Sequence, residues 1–114
     1  METEKKLGKI LSIKFGLGGY NDCQIGLFVT LGTSEWGVGA QKASHDHNLI
    51  KWSPSCKWNE EDRHHSHVDV MKYVSDLLKD AKVNDVSDLK GKPVEVTLNE
   101  SRMLDSWRIL TEVI

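Results

Sequence analysis

One stretch of this chain has a helical repeat, and it lies between two sets of segments that alternate like strands. His67, Val70, Met71, Val74, Leu77, Leu78 and Ala81 recur at steps of three and four, while Asp69, Lys72, Asp76, Lys79 and Asp80 fall mainly off that stripe. Asn59 offers a capping side chain and Glu60, Glu61 and Asp62 place acidic groups in the first turn, where the helix dipole favours them. A single amphipathic helix must bury its apolar stripe on something else. The alternating segments supply that surface.

Before the helix, residues 9–15 alternate Leu11, Ile13 and Phe15 against Ser12 and Lys14, the period of two of a half-buried strand. Gly16 to Asp22 is dense in turn residues. Cys23, Ile25, Leu27, Val29 and Leu31 then repeat the period, so the two runs are expected to form a hairpin. Phe28 lies on the opposite face of the second strand, and an aromatic there suggests a neighbouring element or subunit over it. Residues 35–41 are expected as a short third strand. After the helix, residues 84–91 read as a capped turn ending in glycine, and Pro93 excludes helix and opens a strand with Val94, Val96 and Leu98 on one side. Residues 104–114 carry Trp107, Ile109, Leu110, Val113 and Ile114, apolar on both faces, so this last strand is expected to be central or to lie at a subunit interface. The expected architecture is α+β: a mostly antiparallel sheet of about five strands in the order β-β-β-α-β-β, with one long helix packed on it.

With 114 residues, one domain over 1–114 is expected, large enough for a core without staples. Residues 42–58 are polar, broken by Ser53-Pro54-Ser55, and contain Trp52 and Trp58; they read as a long loop able to act as a lid. Fifteen Lys and Arg against seventeen Asp and Glu give a net charge of −2, which weighs against a general phosphate-backbone binder. No segment reads as a membrane span or a leader, so a cytoplasmic location is expected, with Cys23 and Cys56 reduced.

Candidate chemistry concentrates around Thr33-Ser34-Glu35-Trp36-Gly37-Val38-Gly39. Gly37 and Gly39 would let backbone approach a bound group, and the Trp36 indole offers a stacking face; a tight hairpin corner calls for the same residues. Arg63, Arg102 and Arg108 are the chain's three arginines, and guanidinium forks suit phosphates. The candidate ligand-binding set is Trp36, Gly37, Gly39, Gln41, Trp52, Arg63, Arg102 and Arg108. His45, Asp46, His47, Cys56, His64, His65 and His67 crowd one span without a recognised zinc spacing, so no metal or cofactor is expected. No nucleophile motif is present either, which points to a binding protein rather than an enzyme.

The pattern of two strands running into Trp36-Gly37-x-Gly39, then a long helix, then Val86, Leu89, Lys90, Gly91 and Lys92 before a closing hairpin resembles small proteins of bacteriophages and prophages, and in particular the first Thoeris anti-defence sponge family. That resemblance implies a phage-encoded protein that sequesters a nucleotide-derived immune signal, of the cyclic ADP-ribose type or a cyclic oligonucleotide, without cleaving it, and that assembles as a homo-oligomer. Two alternatives stay open: an inhibitor that contacts a host defence protein such as a nuclease, and an accessory protein for single-stranded nucleic acid.

Overall fold

The computed structural model describes residues 3–19, 24–45 and 60–114, the side chains of His45 and Glu60 excepted. Its elements are β1 (Glu4–Gly18), β2 (Gln24–Gly32), β3 (Gly37–His45), α1 (Glu60–Ala81), β4 (Pro93–Leu98) and β5 (Leu104–Ile109), with short 3-10 turns at Val86–Leu89 and Thr111–Val113. The five strands form one antiparallel sheet in the order β3-β2-β1-β4-β5. The α+β arrangement and the β-β-β-α-β-β order stand as expected.

The sheet is built on β1, which serves two neighbours in succession. Glu4–Lys9 pairs with β4, from Glu4 opposite Leu98 to Lys9 opposite Pro93, and Lys9–Gly18 pairs with β2, from Lys9 opposite Gly32 to Gly18 opposite Gln24. The changeover carries a bulge, since Ile10 faces Leu31 and Ser12 faces Thr30, which leaves Leu11 as the extra residue. Bulges bend and twist a strand. Accordingly, the sheet curls until its outer strands β3 and β5 approach within 8 Å between Cα atoms.

The hollow side of that curl holds the core. Ile10, Leu27, Val29, Leu31, Val94, Val96 and Ile109 from the strands meet Val70, Val74, Leu77 and Ala81 from α1, and Leu89 of the first 3-10 turn joins them, all buried. The helical stripe is narrower than its sequence suggests. Val70, Val74, Leu77 and Ala81 form its spine, while Met71 stands 58% exposed on its flank. Asp85 caps the 3-10 turn by accepting from the Ser87 amide at 2.8 Å, and the Ser87 hydroxyl and amide hold its carboxyl below the usual range.

Several boundaries differ from the sequence expectation, among them the start of β3 at Gly37 rather than at residue 35. β1 begins at Glu4 and runs to Gly18, because β4 recruits the charged start of the chain into a ladder that alternation alone does not reveal. β3 continues to His45, so Lys42–His45 is strand rather than loop; Ser44 lies opposite Ile25 on the inner face and is 1% exposed, a buried polar position in a polar-looking run. The remainder of the 42–58 expectation, Trp52 included, lies outside the described residues. The last segment is not central: β5 is the strand beyond β4 and ends at Ile109, where the Leu110 amide donates to the Pro93 carbonyl at 3.0 Å. The chain then turns, so Val113 is exposed while Ile114 packs on the core. Phe28 does sit on the outer face, but its own sheet accommodates it. Its ring lies over Gly18, where a Cβ would come within 2.9 Å of it, and the Lys14 ammonium stands 5.9 Å from its centroid.

Candidate functional site

The turn singled out in the sequence is a two-residue hairpin corner. Thr33 N–H donates to the Trp36 carbonyl at 2.9 Å, and Glu35 N–H donates to the Thr33 hydroxyl at 3.1 Å. The glycine this corner requires is Gly32, not Gly37 or Gly39. Gly32 has φ +150°, and a Cβ there would run into the Trp36 carbonyl oxygen and sit 2.8 Å from the Gly37 Cα. At Gly37 the nearest neighbours would be 3.7 Å away, and at Gly39 nothing lies within 4 Å.

The other nominated residues are distributed around the sheet. The Trp36 indole packs against the core, and the Lys6 ammonium stands over its ring, 5.0 Å from the centroid. That cation occupies a stacking face. Gln41 projects from β3 and donates its amide to Gln24 Oε1 at 3.2 Å. Arg63 is half-buried in the first turns of α1. Arg102 forms the left-handed corner of the β4–β5 turn, φ 61°, held by its own N–H to the Asn99 carbonyl at 2.9 Å and by Asn99 Oδ1 accepting from the Ser101 and Met103 amides. Arg108, on β5 at the far end of the strand order, gives its fork to Glu112 at 2.9 and 3.0 Å and its Nε to Glu95 at 3.2 Å. Those hydrogen bonds hold the Glu112 carboxyl down at about 2 and raise the already high guanidinium value. Neither hollow characterised below includes any of these residues in its lining.

The larger hollow lies where β2 stops and β1 continues. It is an open notch of about 390 Å³ lined by Leu7, Gly8, Lys9, Leu11, Gly32, Thr33 and Ser34. Its floor is bare backbone: a Cβ on Gly8 would approach the Gly32 carbonyl oxygen to 2.8 Å. Lys9 and the hydroxyls of Thr33 and Ser34 supply donors, and Leu7, 66% exposed, and Leu11 supply apolar walls. No family model, curated protein or solved structure matches the chain. The notch must therefore be judged on its chemistry. One ammonium and two hydroxyls beside two leucines can hold a small molecule that has an anionic group and an apolar face. Sequence reasoning nominated the turn that walls this notch but missed Lys9, Leu7 and Leu11; the available signal was Gly8, placed just before the first alternating run.

A second hollow, about 80 Å³, is lined by Phe15, Ile25, Ser44, His67, Val70 and Met71. In it the Ser44 hydroxyl and His67 Nδ1 are 2.6 Å apart. A serine bonded to an imidazole has the composition of a nucleophile and its base, yet Ser44 is 1% exposed, so its oxygen is shielded from a substrate in solution. What the pair does mechanically is pin the first half of α1 to the end of β3. Among the described residues no group of three or more His, Cys, Asp or Glu side chains is placed to hold a metal, and no helix is long and apolar enough to cross a membrane. Asp46, His47 and Cys56, and the side chain of His45, are outside what the structure describes.

Proposed function

We propose that this chain is a phage-encoded, non-catalytic binding protein that captures a nucleotide-derived signalling molecule in the notch between β1 and the β2–β3 turn. The observation that carries the reading is the 390 Å³ notch, within the roughly 300–1,000 Å³ range of small-molecule sites. A phosphate would lie against the Lys9 ammonium and the Ser34 and Thr33 hydroxyls, and the base or ribose against Leu7 and Leu11. The similarity of the Trp36-Gly37-x-Gly39 turn and the Val86–Lys92 segment to the Thoeris anti-defence sponges supports a cyclic ADP-ribose-type ligand over other anions. One cation and two hydroxyls suit holding an anion, and the ligand is expected to leave the notch unchanged.

Calorimetric titration with cyclic ADP-ribose isomers and cyclic dinucleotides tests this directly. Micromolar or tighter binding of one of them is expected, with the ligand recovered at unchanged mass. Lys9→Ala and Ser34→Ala should each weaken it, Lys9→Ala by about tenfold or more. An absence of binding across the panel, or full affinity in Lys9→Ala, overturns the reading.

A further inference from the structure

β1 has a second gap in its pairing, on the side opposite the notch. β4 accompanies it along Glu4–Lys9, and the last backbone bonds on that side run from Ile10 N–H to the Lys92 carbonyl, 3.0 Å, and from Gly91 N–H to the Ile10 carbonyl, 2.7 Å. Beyond Ile10, β1 continues to Gly18 with β2 alone among the described strands. Antiparallel residues alternate in the side their peptide groups address. Ile10 addresses β4, the bulge at Leu11 resets the alternation, and Ile13, Phe15 and Leu17 therefore turn their N–H and C=O groups away from β2. Among the described residues no backbone group answers them.

The side chains along this edge are apolar and uncovered. Phe15 is 44% and Leu17 42% exposed, and Met71 on α1 adds a third exposed apolar group at the rim of the smaller hollow that Phe15 also lines. Such an edge is a template for another strand.

We propose that the occupant is a second copy of the chain, paired antiparallel along this edge about a two-fold axis through Gly16, so that one sheet runs across two subunits. A two-fold requires a self-complementary strand, and centring on Gly16 makes this one so. Phe15 then stands opposite Leu17 of the partner subunit, an aromatic–aliphatic cross-strand pair whose peptide groups already point across the boundary. Gly16 meets the partner's Gly16 at the narrow non-hydrogen-bonded position, where Cα atoms approach to about 4.5 Å and facing residues stand closest. Lys14 falls opposite the partner's Gly18, which keeps the two ammonium groups out of direct register.

Light scattering or sedimentation equilibrium of the whole chain over a concentration series tests the proposal. A species of twice 12.9 kDa is expected. Leu17→Pro removes an N–H that the β1–β2 ladder does not use, and Phe15→Lys puts charge into the cross-strand pair; each should raise the dimer dissociation constant by about tenfold or more. Far-UV spectra and melting curves establish that the variants fold, and Phe15→Lys carries the test if Leu17→Pro does not. A wild-type chain that stays monomeric at high micromolar concentration, whatever foreign strand it accepts along β1, overturns the proposal. So does a dimer that neither substitution weakens.

Discussion

Replacing Gly32 by alanine isolates what the β2–β3 corner demands of the chain. The new methyl would have to occupy the position of the Trp36 carbonyl oxygen, 2.8 Å from the Gly37 Cα, on a residue whose φ of +150° an L side chain rarely adopts. Backbone strain of this kind costs about 1–3 kcal/mol, and forcing a methyl against packed neighbours about 1–3 kcal/mol more. Because the obstructing atoms are backbone, no rotamer change relieves them, and a total of about 3–4 kcal/mol is expected. Over 114 residues, an unfolding entropy of about 2.1 cal/mol/K per residue converts each kcal/mol to roughly 4 °C. Gly32→Ala should therefore melt about 12–16 °C below the parent by differential scanning calorimetry. Gly39→Ala, where nothing lies within 4 Å, should stay within about 0.5 kcal/mol, or roughly 2 °C. If the two variants melt together, or if Gly32→Ala loses less than about 4 °C, the assignment of the corner to Gly32 is wrong.

Ser44→Ala removes the 2.6 Å bond to His67 and leaves a half-buried imidazole nitrogen without that partner; urea titration should show a loss of about 1–2 kcal/mol, and an unchanged midpoint would mean the pair contributes nothing. Glu112 titrates at about 2 in the folded chain against an ordinary value of 4.5, because the Arg108 fork bonds its carboxylate. Since the folded value lies below the unfolded one, the stabilisation is complete above about pH 4.5 and disappears as the pH falls towards 2. Melting curves over that interval should drop less steeply in Glu112→Gln than in the parent; parallel curves would show that the ion pair has no bearing on acid stability.

Element order was legible in the sequence because period-two and period-3.6 patterning is local: Ile25, Leu27, Val29 and Leu31 declare a strand, and Val70, Val74, Leu77 and Ala81 a helix, with no knowledge of their partners. Boundaries were less legible where a partner decides them. Glu4–Lys6 is strand because β4 reaches it, and Lys42–His45 is strand because β2 extends alongside it and Ser44 finds His67 across the core. Leu110–Ile114 looked like more strand since apolar residues there serve a turn that returns Ile114 to the core. The candidate site was harder still. A dense Gly and Trp turn marks a special corner, but the torsion that makes Gly32 indispensable leaves no trace in composition. Nor can spacing show that Lys6 will cover Trp36 or that Glu95 and Glu112 will claim Arg108. Lys9 gains its place in the notch from where two ladders happen to end, which is a property of long-range register.

A strand shared in series between two neighbours also orders events in time. The half of β1 that joins β2 finds its partner within a short length of newly made chain, whereas Glu4–Lys9 must wait for residues more than eighty positions later. During synthesis the first hairpin can assemble while the opening residues dangle without a mate, and the β4–β5 hairpin can then close the fold by docking onto them. Slow, late closure of this kind leaves the nascent chain open to capture by chaperones or by a neighbour's strand until its C-terminal hairpin emerges.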